Sequence, residues 1–250
     1  MKLNNAIILA AGMGVRLRPM TERIPKALIT CAGWPLLSYA LEFARRVVKE
    51  NGKIVVVTGF QAEKVVEFLD EVAPDVSVSH NAGYEKANLL SVAAGLERVD
   101  GDFLLMNVDH IYPFAFAQRL VDAPGDVVAA VDGDRTLVED DMKVRTDAHG
   151  GVRAISKQLT EFDMGYIGMS LVRPAGLDAY RESFKAAQSS RGDRAVAEDV
   201  IQALSNSERP ARTCDLSGLS WLEVDTPDDL EVAEGHLMND PDMLSRGFES

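Results

Sequence analysis

The sequence predicts an α/β fold, a doubly wound mixed sheet with a small, partly antiparallel subregion at about 135–172. Three observations point there. The run Ala6-Ile7-Ile8-Leu9-Ala10 is apolar throughout and opens into a glycine-rich loop instead of a tight hairpin, as a strand buried on both faces does. Strand-sized apolar runs then alternate with helical patterns as far as about residue 110, the rhythm of a parallel sheet with helices on both faces. Beyond Val127 the helices drop out and short strands succeed one another.

Taken in order, a helix is expected over Leu36 to Lys49, a strand over Lys53 to Thr58, a helix from Gln61 to about Asp70 and a strand over Val76 to His80. A helical stretch Leu89 to Arg98 leads into a strand Phe103 to Val108, which ends at Asp109-His110. Val127 to Val131, Lys143 to Thr146, Val152 to Ser156 and Gly165 to Val172 read as strands, the last three without intervening helices, so a substrate-facing subregion is expected there. Helices follow over Gly176 to Gln188 and Ala195 to Leu204, with strands at Ala211 to Cys214 and Trp221 to Val224. Thr226-Pro227-Asp228-Asp229 starts a last helix, with Thr226 as N-cap, Pro227 at the first helical position and acids in the first turn. A single domain over 1–238 is expected, with 239–250 as a polar, frayed tail.

At 250 residues and 46% hydrophobic, the chain has enough apolar surface for a sizeable core. A net charge of -13 disfavours nucleic acid and anionic membranes as partners. Near the start that charge reverses: Arg16, Arg18, Arg23 and Lys26 accompany a single acid, Glu22. Cys31 and Cys214 lie far apart and outside any metal-ligand spacing, so both read as reduced thiols of a cytoplasmic protein. No apolar run approaches the ~20 residues of a membrane span, and the first residues lack the pattern of a signal peptide.

The most informative segment runs Leu9-Ala10-Ala11-Gly12-Met13-Gly14-Val15-Arg16-Leu17-Arg18-Pro19, completed by Pro25-Lys26. Gly12 and Gly14 let backbone amides approach a polyphosphate, and Arg16 and Lys26 bring positive charge to it. The spacing is neither that of a P-loop nor that of a dinucleotide fingerprint, which would need a glycine where Leu17 stands.

That segment resembles the signature of the sugar-1-phosphate nucleotidyltransferase superfamily, whose members share a Rossmann-like core and use magnesium. The resemblance runs from Ala6 to about Leu237, and its details are most similar to CTP:inositol-1-phosphate cytidylyltransferases and their relatives acting on choline phosphate or phosphonates. It implies that Leu9, Ala10, Ala11, Gly12 and Gly14 hold the nucleotide and that Arg16 and Lys26 are catalytic, Arg16 fixing the triphosphate with the loop and Lys26, with Lys157, drawing the acceptor phosphate into line. Asp109 and Asp225, each just after a strand candidate, are implied to hold one Mg²⁺. Read as a residue alone, Asp225 serves equally as the cap of the helix behind it. His110 is open as a metal ligand, a general base or a shaping residue.

On the acceptor side the resemblance implies a phosphate grip by Lys157, contact with acceptor hydroxyls along Asp163 to Gly165, and a second lysine, Lys143, in Asp141-Met142-Lys143-Val144. Solvated lysine is the alternative for both. Asn88 and Ser91, in Asn88-Leu89-Leu90-Ser91, resemble the Asn-x-x-Ser of cytidylyltransferases and also suit a helix start. Met164 stands where a Thr is common. The implied reaction transfers CMP from CTP to a small alcohol phosphate, inositol 1-phosphate first, with release of pyrophosphate. The alternatives are a phosphocholine or phosphonate acceptor, a sugar-1-phosphate uridylyl- or thymidylyltransferase, and a non-catalytic nucleotide-binding regulator.

Overall fold

A computed structural model of the chain describes residues 2–245. In chain order its strands are β1 (Leu3–Ala10), β2 (Thr30–Cys31), β3 (Trp34–Pro35), β4 (Val48–Thr58), β5 (Ser77–His80), β6 (Phe103–Asn107), β7 (His110–Ile111), β8 (Val127–Asp132), β9 (Lys143–Thr146), β10 (Val152–Ser156), β11 (Met164–Val172), β12 (Arg212–Asp215) and β13 (Leu222–Glu223). The α-helices are α1 (Leu36–Val47), α2 (Ala62–Val72), α3 (Leu89–Leu96), α4 (Ala115–Asp122), α5 (Leu177–Arg191), α6 (Ala197–Leu204) and α7 (Pro227–Asn239).

β1 lies at the centre of a parallel set, with β4 on one side and β6 on the other; Ile7 faces Val55 and Leu105 across the two ladders. β5 extends this set beyond β4. The sheet changes direction at β11, which runs antiparallel to both β6 and β8, and β12 returns parallel to β8. The start of β11 reaches past the end of β6 and pairs with β9, which pairs with β10. The expected subregion is therefore an antiparallel extension of the main sheet, standing beyond the carboxyl end of β6.

Both faces of the sheet are covered, which is why β1 carries no polar alternation. On one face α1, α2 and α4 pack Leu37, Phe43, Leu69, Phe116 and Leu120 against Ile8 and Val56. On the other, α3, α5 and α6 pack Val92, Tyr180 and Ile201 against Ile7, Val55 and Phe103. Each such side chain, fully buried, stabilises the fold by roughly 1.5–3 kcal/mol relative to exposure. A third cluster joins Leu17, Ile29, Leu36, Ile111, Leu222 and Leu237, tying the loop after β1 to α7.

Besides β7, which was not expected, and β4, which starts at Val48 inside the helix expected over Leu36 to Lys49, three parts of the chain depart from the sequence-based expectation. Helix α4 begins just after Pro113 and has no side-chain cap, so nothing in its eight residues announced a start. The β2–β3 hairpin turns on Ala32 and Gly33 at φ 48° and 87°, with Gly33 in the usual role and alanine in an unusual one. The third departure is a correction at the end of the chain. Met243 is buried in the third cluster and the Leu244 carbonyl accepts the Phe114 amide at 2.7 Å, so 240–245 are docked, not frayed. Met243 and the partly buried Leu244 anchor this otherwise polar stretch. The rest of the expected tail, 246–250, lies outside the described residues. Among the described residues no helix is long and apolar enough to cross a membrane.

Candidate active site

The loop after β1 folds into three short 3-10 turns, Val15–Leu17, Met20–Glu22 and Lys26–Leu28. Gly14 makes the first of them possible. Its φ is 59°, and a Cβ there would lie 2.9 Å from both the Lys26 Cβ and the Thr21 methyl. Thr21 Oγ1 donates to the Gly14 carbonyl at 2.7 Å, which fixes the loop from inside. Gly12, by contrast, has nothing within 4 Å of where a side chain would stand. The loop encloses a hollow of about 230 Å³ lined by Leu9, Ala10, Gly12, Gly14, Arg16, Lys26, Asp109 and Asp225. Ala11 is buried beside it, its carbonyl accepting the Phe60 amide at 3.1 Å.

Asp109 and Asp225 meet because β13 pairs with β7, and because the Val224 amide donates to the Asp109 carbonyl at 2.9 Å. The α7 cap holds Asp225 from behind: Asp229 accepts the amides of Asp225 and Thr226, and Thr226 Oγ1 accepts the amide of Asp229. Asp225 therefore sits beside the expected cap and does not itself form it. The Lys26 ammonium, 7% exposed as a residue, donates to Asp109 Oδ2 at 2.6 Å and to Asp225 Oδ1. Burial alone would discourage this charge, but Asp109 and then Asp225 outweigh it and raise the Lys26 pKa. For Asp109 burial likewise opposes ionisation, yet Lys26 and His110 hold its carboxyl far below the usual range. Arg16 donates to Asp225 Oδ2 at 2.5 Å.

A second hollow, of about 480 Å³, shares Arg16, Asp109 and Asp225 with the first and extends towards β9 and β11. Lys157, Gly165 and Asn88 line it. Gly165 abuts Leu137, whose Cδ2 would lie 2.7 Å from an added Cβ. Asn88 Oδ1 accepts the Ala197 amide at 2.8 Å, so it caps α6 from a distance while facing the hollow.

Three expected residues are placed otherwise. Lys143 is buried, and its ammonium donates to the carbonyls of Val138, Glu139, Asp141 and Lys157. It braces the segment before β9 and does not line the hollow; one long side chain satisfied by four acceptors has no donor directed outward. Asp163 accepts the Thr146 amide and hydroxyl at 2.7 and 3.0 Å, clasping β9. Ser91 is buried, its hydroxyl accepting from Asn81 at 2.9 Å, away from both hollows.

The loop 133–142 closes one side of the large hollow; sequence reasoning placed most of it in the substrate-facing subregion at about 135–172 but gave Arg135 and Asp140 no role. Its Asp140 bridges Arg16 Nη1 at 2.9 Å and the Lys157 ammonium, so one carboxylate spans a cation from each hollow. The hydrogen bond from Lys157, helped by the charge of Arg16, lowers the Asp140 pKa. Arg135 of the same loop lies 4.8 Å over the Trp221 ring and 3.4 Å from Glu223. Asp132, Glu198 and Glu223 also line the hollow, and burial pushes the pKa values of Glu198 and Glu223 upward. Of these last three acids only Glu223 lies beside a residue the sequence singled out, Asp225, and only the folded chain assembles them.

Known proteins resemble this chain along nearly its whole length. A bifunctional IPC transferase and DIPP synthase of Rubrobacter xylanophilus is 34% identical over 92% of the chain, which covers 51% of that protein. The protein of the same description from Aquifex aeolicus is 31% identical over 94% of the chain and is covered over 52% of its length. The chain thus spans about half the length of these relatives. Among solved structures, the inositol-1-phosphate CTP transferase from T. maritima superposes with a TM-score of 0.80 at 21% identity, with 100% of this chain and 99% of that one covered, a likeness of fold. A model of the MobA-like NTP transferase domain matches residues 6–206, and the chain, with its glycine-rich loop and mixed sheet, belongs to that family.

Proposed function

We propose that this chain transfers CMP from CTP to inositol 1-phosphate, with release of pyrophosphate. One observation carries the reading. The phosphate loop's Arg16 and Lys26 converge with Asp109 and Asp225 where a phosphate-sized hollow opens into a larger one holding Lys157. The loop amides and Arg16 bind the triphosphate, while Lys157 draws in the acceptor phosphate. An acceptor oxygen attacks the α-phosphorus, the bond from that phosphorus to the bridging oxygen breaks, and pyrophosphate leaves. The acceptor phosphate is already ionised at neutral pH, so no general base is needed. Alignment and charge neutralisation on the reacting oxygens supply the rate.

The donor set suits Mg²⁺. Asp109 and Asp225 present carboxylate oxygens to one point, marked by the shared Lys26 ammonium, with both carboxylates within hydrogen-bond reach of it. Mg²⁺ takes one or two carboxylates and completes its shell with substrate phosphates and water. When bound, it neutralises charge on the phosphate oxygens.

Relatives described as IPC transferases support the acceptor, and so does the chemistry of the large hollow. Asp132, Asp141, Glu198 and Glu223 offer hydrogen-bond acceptors suited to a polyol. A quaternary ammonium needs an open aromatic face, but Trp221 is stacked on His110 and carries Arg135. The same excess of carboxylates favours a second reading, an aminoalkyl phosphonate. The two buried free thiols fit a reducing compartment such as the cytoplasm.

The test is pyrophosphate release with CTP and UTP, each crossed with inositol 1-phosphate, phosphocholine, 2-aminoethylphosphonate and glucose 1-phosphate. CTP with inositol 1-phosphate is expected to give the highest kcat/KM. UTP with glucose 1-phosphate in that place would remove the cytidylyl assignment. No pyrophosphate from any pair would favour the binding regulator.

A further inference from the structure

We infer that His110 is a positioning residue that fixes the orientation of the Asp109 carboxylate towards a divalent cation, an inference that rests on the nucleotidyl transfer proposed above. The two oxygens of Asp109 are divided between partners: Oδ2 accepts from Lys26 and Oδ1 meets His110 Nδ1, each at 2.6 Å. An ionised carboxylate has no proton to give, so Nδ1 carries the hydrogen and donates it. This bond stops the carboxylate from rotating about its last torsion, a freedom Lys26 alone leaves open.

The imidazole is itself held on every side. It stacks on Trp221 at 5.3 Å and 11° between planes, and on Tyr112 at 5.5 Å and 21°. Each plate is anchored in turn: Trp221 Nε1 donates to Asp132 at 2.8 Å, and the Tyr112 hydroxyl donates to the Ile167 carbonyl. Gly168, at φ 74°, closes the edge, since a Cβ there would lie 3.1 Å from His110 Cε1 and Nε2. The remaining nitrogen, Nε2, stands 3.8 Å from Glu223 Oε1, beyond hydrogen-bond reach. Nδ1 is thus committed to Asp109, while the ring, 6% exposed, lines the large hollow. Partners of this kind commonly set metal affinity, and their loss costs about 10–100-fold.

Mn²⁺ binding in the presence of CTP and without acceptor, read from the free-Mn²⁺ electron paramagnetic resonance signal against a protein-free blank of Mn²⁺ and CTP, separates this role from turnover. His110→Phe keeps a stacking ring and removes the donor; about 10–100-fold weaker Mn²⁺ binding is expected. His110→Asn returns an N–H near the Nδ1 position, and recovery to within a few-fold of wild type is expected. A folded His110→Phe variant that binds Mn²⁺ like wild type, or a folded His110→Asn variant as weak as the Phe variant, overturns the inference. If His110→Phe fails to fold, Gly168→Ala displaces the ring with the donor intact; it is expected to weaken Mn²⁺ binding, and wild-type affinity there also overturns the inference. Should wild type itself bind no Mn²⁺ with CTP, the nucleotidyl-transfer reading falls, and the inference falls with it.

Discussion

At Lys26 one buried ammonium answers two carboxylates, so its removal acts on stability and on chemistry at once. Breaking a buried ion pair from one side strands the partner charge and costs about 3–5 kcal/mol. Lys26→Ala is therefore expected to melt earlier than wild type, and Mg²⁺ is expected to raise its melting temperature more than that of wild type, because the cation meets Asp109 and Asp225 without a competitor. Turnover is expected to fall on the order of 10²-fold or more; a variant with near-normal melting and rate removes Lys26 from the mechanism. Asp140 carries the opposite sign. It pairs with Arg16 and Lys157, the two cations proposed above to meet substrate phosphates, and exposed ion pairs are worth only about 0.2–1 kcal/mol each. Asp140→Asn is expected to bind pyrophosphate about two- to thirtyfold more tightly in calorimetry; weaker binding would show that Asp140 assists ligand capture. These residues differ in how legible they were. Lys26, Asp109 and Asp225 stand beside recognisable loop, strand and cap signals, whereas Asp140 acquires its role only when 133–142 folds back over the cleft. Lys143 was misread because the sequence shows a lysine but not the four carbonyls that absorb it.

Within the phosphate loop the two glycines do different work, and the difference is testable. Gly14 is required by the protein itself, for its positive φ and for the close approach of Thr21 and Lys26. Gly14→Ala is expected to cost about 2–4 kcal/mol in urea unfolding, from left-handed backbone strain plus overpacking. Gly12 borders open space in the hollow, so Gly12→Ala is expected to leave the unfolding midpoint near wild type and to weaken CTP binding instead. The reverse pattern, a stable Gly14 variant or an unstable Gly12 variant with normal binding, would refute this division. The sequence could announce the loop but not this asymmetry, because both residues are simply glycine. Elements were legible where burial imposed a pattern: β9 and β10 match the expected residues, and β1 was visible from its unbroken apolar run. Of the β7–β13 ladder, β13 falls within the strand expected at Trp221 to Val224, but the two-residue β7 carries no period and was not read, so the pairing that brings Asp109 to Asp225 was not legible.

At the scale of the whole molecule, stability should decline in alkali before the lysines titrate. Cys31 and Cys214 are free and buried, and burial, helped by Glu234 and Asp215 respectively, pushes their thiols up to about 12 and about 11. Burial likewise pushes Tyr39 up to about 12. In the unfolded chain thiols titrate near 8.5 and phenols near 10. Each folded-state pKa lies above its unfolded value, so the folded protein retains protons that the unfolded chain releases. The contribution of these groups is complete below the unfolded pKa and is lost as pH rises towards the folded one, by up to about 1.4 kcal/mol per pH unit for each group. For the thiols the loss begins near pH 8.5 and for Tyr39 near pH 10. At a net charge of -13, added negative charge increases the self-repulsion of the folded chain. Urea midpoints are therefore expected to fall steadily between pH 8 and 10, and the double variant Cys31→Ala, Cys214→Ala should flatten that part of the curve even though it starts from a lower stability. A wild-type midpoint constant over this range, or a double variant with the same slope, would show that the thiols do not couple folding to pH. The same burial predicts that neither cysteine reacts with a thiol reagent at pH 8 until denaturant opens the fold, a rate that follows the global transition and not local exposure.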